Sequence, residues 1–285
     1  MWPNYVTPER LDHFINEALK EDVGSGDHST LSTIDEHITK KAQLIIKEDC
    51  ILAGVELANY IFKKVDDKLN ISTFKKDGDL VKKGEIAFFV EGSARSILLS
   101  ERLVLNCMQR MSGIATYTNY LNSFLKNTSC KLLDTRKTTP NFRLCEKWAV
   151  VIGGGINHRF GLYDMIMLKD NHIDYAGGIK NAVLNAKDYL IKNKLAIKIE
   201  VETRTINEVK EAIEANVDRI MLDNMAVDVM KEAVKIINKS CEIEASGGIN
   251  ENNIEAIAQT GIDFISIGAL THSAKNIDLS LKAFS

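Results

Sequence analysis

Between Leu132 and His172 the sequence places Arg136, Lys137, Arg143, Lys147, His158, Arg159, Lys169 and His172 among turn-forming residues. The whole chain carries a formal net charge of -3, so this cationic density is local. Arg136-Lys137 follows an apolar segment and His158-Arg159 follows a glycine run, positions where a buried strand gives way to a loop. Loops of that kind carry function on a rigid scaffold. Planar guanidinium forks grip carboxylates and phosphates bidentately. The chemistry these residues suit is the clamping of a small polyanion.

Acidic residues gather further along. Glu200 and Glu202 share one face of a strand, Glu202 at its end, and Asp223 ends the next strand. Beside a phosphate site, Glu202 and Asp223 suggest Mg²⁺, which takes few carboxylates plus substrate oxygens. Nearby Lys and Arg offer these acids an equally good alternative. Ser246-Gly247-Gly248-Ile249-Asn250 ends a strand and is expected to open a helix, whose free N–H groups and dipole can hold a phosphate. A plain tight turn is as good a reading in isolation. A following strand, Phe264 to Gly268, favours phosphate, because barrel phosphate sites use the last two βα loops. Arg102, taken alone, reads as a surface charge.

The elements that position these residues follow from periodicity. Thr7-Pro8 opens a first helix, and the acidic loop Glu21–Asp27 ends it; a solvated loop fits those acids better than a metal cage. A strand from Lys41 to Lys47 precedes a helix from Val55 to Val65. Residues 69–92 read as short strands around an Asp77-Gly78 turn. Their glycine spacing is similar to the hairpins of biotinyl and lipoyl carrier domains, but no modifiable-lysine motif accompanies it, which favours a small sheet domain. A long helix is expected from Glu101 to Leu125, with Glu101 and Arg102 at its N-terminal end and Gly113 permitting a close crossing. Beyond Lys131, strands are expected at 131–134, 165–168, 197–202, 219–222, 242–245 and 264–267. Helices fit between several of them, at 206–215, 227–238 and 252–259. This βα rhythm, with polar residues after nearly every strand, fits a parallel barrel whose site lies at the C-terminal strand ends. No clean eighth βα unit is present, so the barrel is expected to be incomplete.

The bulk numbers narrow the function. With 285 residues, 45% hydrophobic and 26% charged, the chain supports one large or two modest globular domains. A pI near 6.1 argues against a nucleic-acid-coating protein. No apolar run reaches membrane-spanning length, and the N-terminus lacks a signal-peptide pattern. The five scattered cysteines, without a CxxC pair, read as reduced thiols in a cytoplasmic protein, and none stands beside an obvious base. P-loop, Rossmann and zincin motifs are missing from the sequence.

With those positions in hand, the sequence closely resembles the quinolinate phosphoribosyltransferase family, the decarboxylating nicotinate-nucleotide pyrophosphorylases. The resemblance rests on ERLVLNCMQRMSGIAT (101–116), DTRKTTP (134–140), GGGINHR (153–159), LKDNH (168–172), IEVE (199–202), MLDN (221–224), SGGI (246–249) and SIGALTHS (266–273), with GSGD (24–27) near the start. Asn141 departs from the pattern, since relatives often carry Gly there. The resemblance implies an α/β fold: an N-terminal α/β sandwich-like domain, residues 1–115 joined by 272–285, and an incomplete α/β barrel of seven-stranded type, residues 116–271. It implies a homodimer, or a higher assembly of it, whose site borrows Arg102 from the partner subunit. It implies transfer of the phosphoribosyl group of 5-phosphoribosyl 1-diphosphate (PRPP) to quinolinate, with loss of pyrophosphate and CO₂, giving nicotinate mononucleotide for NAD synthesis. Quinolinate contacts map to Arg102, Arg136, His158, Arg159 and Lys169. Lys137 bridges towards PRPP, and Glu202 and Asp223 serve the Mg²⁺–ribose–pyrophosphate side. Ser246, Gly247, Gly248, Ile249, Gly268 and His272 serve the 5′-phosphate. Mg²⁺ is the implied cofactor, with no organic one.

The residues agree with that chemistry. Quinolinate brings two adjacent carboxylates and PRPP several phosphate charges, so binding them together requires a cationic cluster. Rival readings remain distinct in what they require. A related phosphoribosyltransferase using another pyridine or azole acid would leave part of the cluster idle. A barrel aldolase would need a Schiff-base lysine, for which Lys169 is the one good candidate. A carrier module would need a modified lysine on the Asp77-Gly78 hairpin.

Overall fold

The computed structural model of the chain describes residues 2–284, which divide into two units. One takes in the chain up to Asn119, Thr138–Gly154 and the residues from Ala269 onward; the other takes in Tyr120–Lys137 and Gly155–Gly268.

The first unit begins as the sequence predicts. The Thr7 side chain caps a helix, Pro8–Val23, by accepting from the Arg10 N–H, and Pro8 occupies its first turn. The acids of the following loop are accounted for locally: Asp27 accepts from the Thr30 N–H at 3.0 Å and caps a short helix, His28–Thr33. Strands β1 (Thr39–Ile46), β2 (Cys50–Ile51), β3 (Asn70–Thr73), β4 (Leu80–Val81) and β5 (Ile86–Ser93) follow. β1 alternates inward Ala42, Leu44 and Ile46 with outward residues. It lies between β5 and the C-terminal strand, Leu279–Phe284, in an antiparallel sheet that β3 completes. The helix Val55–Val65 buries Leu57, Ala58, Ile61 and Phe62. Its N-terminus is capped from a distance, because Asp77 accepts from the N–H groups of Val55 (2.7 Å) and Glu56 (3.3 Å). The carrier-like turn is thus a helix cap.

The long helix starts at Ala94, one strand-end after Gly92-Ser93, with Ser93 Oγ accepting from the Ser96 N–H. It runs to Asn122 and continues as a 3₁₀ turn, Ser123–Leu125. Arg102 therefore stands two turns inside the helix, not at its N-terminal end. Gly113 does permit the expected close crossing: a Cβ there would lie 2.0 Å from the Lys275 carbonyl oxygen. The helix Arg143–Ile152 and its flanks group with this unit through Arg110–Glu146, through Phe142 against Phe14 and through Trp148 against Trp2.

The second unit is built on β6 (Lys131–Leu133), β7 (Ile166–Leu168), β8 (Ile199–Thr203), β9 (Arg219–Asp223), β10 (Glu242–Ser246) and β11 (Phe264–Ser266). They form one parallel sheet in the order β6-β11-β10-β9-β8-β7. Ile156 adds a one-residue parallel bridge to Leu133, on the free side of β6. The incomplete α/β barrel therefore has six strands and a seventh position occupied by a bridge. Helices Ile206–Glu214 and Val227–Ile237 form the expected connections. Among the described residues, no helix is long and apolar enough to cross a membrane.

Candidate active site

Two cationic loops of the second unit are held by one buried carboxylate. Asp134, directly after β6, accepts from the His158 N–H at 2.8 Å and from the Asn157 side-chain amide at 2.6 Å. Its own N–H donates to the Ile156 carbonyl. Asp134 thereby fixes the Arg136-Lys137 loop beside the His158-Arg159 loop. Lys137 is exposed, and its N–H closes a small turn on Thr135 Oγ1 at 3.0 Å. Arg159 donates to the Met165 carbonyl at 3.1 Å. Burial, and then the charge of Arg136, hold the Arg159 pKa below its ordinary value. Two guanidinium groups brought within mutual repulsion favour an anion between them.

The other strand ends carry the acids. Lys169, after β7, places Nζ 3.4 Å from Glu202 Oε2 on the neighbouring β8. Its N–H donates to His172 Nδ1, so His172 works as a helix cap rather than a member of the clamp. Asp223 ends β9, and Oδ2 accepts from the Asn224 amide at 2.8 Å. Asn224 takes a left-handed φ of 53° and donates its own N–H to the Ser246 carbonyl at 2.8 Å. A Cβ at Gly247 would fall 2.3 Å from Asn224 Oδ1, and its φ is 92°, so only glycine fits. The loop after Ser246 departs from expectation. Residues 250–253 form a turn tied by Asn250 and Asn253 to the Gly248 carbonyl, and the helix is only Ile254–Ala258. The dipole that was to favour phosphate is not formed at Gly247-Gly248; what remains is a glycine backbone cradle.

Inside the barrel lies a charged layer that hydropathy did not announce. His158 Nε2 is 3.0 Å from Glu200 Oε2 and 3.2 Å from Glu244 Oε2. Arg219 reaches Glu244 at 3.1 Å and Glu242 at 2.9 Å. Opposing influences act on the histidine. Burial disfavours the charged ring, and the Arg159 N–H donates to Nδ1, which suits a neutral one. The hydrogen bonds and charges of Glu200 and Glu244 push the pKa up to about 9. The two carboxylates therefore favour the charged ring at neutral pH, at the expense of the Arg159 hydrogen bond, which needs an unprotonated Nδ1. Burial and the Glu244 charge raise Glu200. Burial also works against ionisation of Glu244, but His158 and Arg219 hold it ionised. These three ligand atoms lie within 4.8 Å of one another, yet the site does not suit a metal, because Nε2 keeps a proton in either ring state.

Two family models match the chain: the N-terminal domain of quinolinate phosphoribosyl transferase over residues 27–112 and its C-terminal domain over 114–282. The nicotinate-nucleotide pyrophosphorylase [carboxylating] of Oryza sativa is 49% identical over 95% of this chain and 77% of its own length. A probable enzyme of the same name from Bacillus subtilis is 41% identical over 95% and 93%. The solved structure of NadC from Streptococcus pyogenes superposes with a TM-score of 0.92 at 40% identity, covering 99% of this chain and all of that one. The chain belongs to the quinolinate phosphoribosyl transferase family.

As a quinolinate phosphoribosyl transferase family member, the chain brings Arg136, Lys137, His158, Arg159, Lys169, Glu202, Asp223, Ser246, Gly247, Gly248, Ile249 and Gly268 into one unit, on or beside the C-terminal strand ends. Arg102 and His272 belong to the other unit; both are exposed, and His272 Nδ1 lies 2.6 Å from Ser273 Oγ. Arg143 and the fully buried Lys147 also lie there, so two cations of the 132–172 stretch serve that unit's packing. Glu202 and Asp223 fit Mg²⁺ by their chemistry: hard carboxylate oxygens at adjacent strand ends, each with one oxygen engaged by a nitrogen donor. Sequence reading missed Asp134, Arg219, Asn224 and Glu244. A signal existed for two of them, because Glu200 and Glu242 both register opposite Arg219, and Glu244 follows Glu242 with the same spacing as Glu202 follows Glu200. The thiols stay packing groups: burial pushes Cys50, Cys107 and Cys130 up to about 12.

Proposed function

We propose that this chain transfers the 5-phosphoribosyl group from PRPP to quinolinate, releasing pyrophosphate and CO₂ and leaving nicotinate mononucleotide for NAD synthesis. The observation that carries this reading is the Arg136–Arg159 pair held by Asp134, a cationic seat for an acid with two neighbouring carboxylates. Family relatives named carboxylating and decarboxylating describe one reaction read in opposite directions.

Arg136, Arg159 and Lys169 bind the quinolinate carboxylates, and the His158 cation adds to the same field. Lys137 reaches PRPP. The backbone of Ser246 to Ile249, with Gly268, receives the 5′-phosphate, to which the family resemblance also assigns His272. Mg²⁺, held by Glu202 and Asp223, would neutralise the departing pyrophosphate. As the C1–O bond of the ribose breaks, positive charge develops at that carbon, and the carboxylates of Glu202 and Asp223 favour it. The ring nitrogen of quinolinate forms the new bond. The ring is then cationic, so the adjacent C–CO₂ bond breaks with its electron pair drawn towards nitrogen, and a proton takes the vacated carbon. Positioning and fixed charge supply the catalysis.

The chain acts as a cytoplasmic homodimer, Arg102 of the partner subunit completing each quinolinate site; its five free thiols support a reducing compartment. Incubation with quinolinate, PRPP and Mg²⁺ is expected to give nicotinate mononucleotide and CO₂, whereas nicotinic acid gives no product. Turnover of nicotinic acid, or of neither acid despite PRPP binding, overturns the assignment. Mixed Arg102→Ala and Lys137→Ala subunits, each nearly inactive alone, are expected to recover part of the activity. Failure to complement removes the shared site.

A further inference from the structure

Glu146 is fully buried, and each of its oxygens is engaged. Oε1 accepts from Arg110 Nε at 3.1 Å and from Thr139 Oγ1 at 3.0 Å, and Oε2 accepts from the Thr139 N–H at 2.9 Å. Arg110 spends its remaining donors on backbone: Nη1 donates to the Ala274 carbonyl at 2.6 Å and Nη2 to the Thr271 carbonyl. The stretches so held are particular. Thr139 lies two residues beyond Lys137, and Thr271 and Ala274 bracket His272-Ser273. The long helix that carries Arg110 also accepts the Ile277 N–H at the Gln109 carbonyl and meets Lys275 at Gly113. Residues 271–277 therefore lie flat along that helix, with Arg110 joining them to the loop after Lys137.

Stability alone does not explain such a pair. A buried ion pair is generally no more stabilising than well-packed apolar residues of similar volume. Apolar replacements would fill the space here but leave a backbone N–H and two carbonyls without their present partners. We infer that Arg110 and Glu146 are positioning residues, a single clamp that sets the backbone of Thr139 and of Thr271–Ala274 together. The inference rests on the substrate roles proposed for Arg136, Lys137 and His272, and extends them to two residues that touch no substrate.

The test compares wild type with the Arg110→Met/Glu146→Leu double variant by steady-state kinetics and by hydrogen exchange of the whole protein. The Michaelis constants for quinolinate and PRPP are expected to rise at least fivefold, with a melting temperature lowered by the backbone groups left without partners. Peptides over 135–142 and 269–277 are expected to exchange faster together, with the rest of the chain unchanged. A lower kcat with both Michaelis constants unchanged means a smaller active fraction, a purely structural effect, and overturns the proposal. Faster exchange in one stretch alone, or throughout, overturns it too. Should the double variant not fold, Thr139→Val removes only the hydroxyl bond to Glu146. It is expected to raise both Michaelis constants at least twofold, and wild-type constants sink the idea. If wild type itself turns over nothing, the proposed function fails, while the paired exchange readout still decides the clamp.

Discussion

Each unit buries a charged network, and the two are built on opposite principles. In the first, one cation meets one anion, and the carboxylate oxygens of Glu146 all face donors. In the second, Glu200 and Glu244 both face the same imidazole Nε2, and Arg219 touches Glu244 while reaching Glu200 only through its charge. A saturated pair fixes geometry. A cluster short of donors stores electrostatic tension that a nearby ligand can use, and it lies one residue from Arg159, itself crowded by Arg136. The contrast suggests that rigidity and reactivity are kept in different units of this chain.

The comparison breaks most visibly at Arg219. Arg219→Met leaves two buried carboxylates with His158 as their one cationic neighbour in the cluster and Ser266 as a neutral donor to Glu244, and a loss of about 3–5 kcal/mol is expected in urea unfolding. A loss below 1 kcal/mol would mean the cluster is already saturated. Titration sharpens the same point. The folded state raises the His158 pKa to about 9, so its stabilisation is complete below the unfolded value near 6.5 and is lost as pH rises through 9. Urea midpoints between pH 6 and 9.5 should show that decline, bounded at about 3 kcal/mol, and His158→Gln should flatten it. Arg159→Ala should separate function from stability. Relief of the Arg136 repulsion offsets the lost bond to the Met165 carbonyl, so the variant is expected to melt near wild type, yet lose about 100-fold in kcat/KM for quinolinate; a large fall in melting temperature with full turnover reverses the assignment. The smallest effect belongs to the first unit, where Asp77→Ala removes a helix cap and should cost about 1 kcal/mol without altering either Michaelis constant.

How far the sequence showed these features depends on where the determining contacts lie. The barrel strands were legible because runs such as Ile220-Met221-Leu222 are short, apolar and β-branched or long-chained. The start of the long helix was not, because Ser93 caps it in the middle of a segment whose apolar residues fit either strand or helix. The clamp residues Arg136, Arg159 and Lys169 stood out by type and spacing after strand ends. Arg219 and Glu244 did not, since one charge within a buried strand declares itself only when register brings its counter-charge alongside. The helix expected at 252–259 is present as Ile254–Ala258, but it starts later than Gly248, because Asn250 and Asn253 first close a turn on the Gly248 carbonyl.

The path of the chain has a consequence for biosynthesis. The antiparallel sheet of the first unit receives its strand beside β1 from Leu279–Phe284, and residues 138–154 reach that unit only after β6 has been made. A ribosome therefore releases the whole barrel sequence before β1 can acquire its last neighbour. Until then a strand with one apolar face presents an open edge, the kind that pairs with other chains. Loss of residues 279–284 should accordingly do more harm to a newly made chain than their number implies, by leaving the early strand β1 to wait for a closure that never arrives.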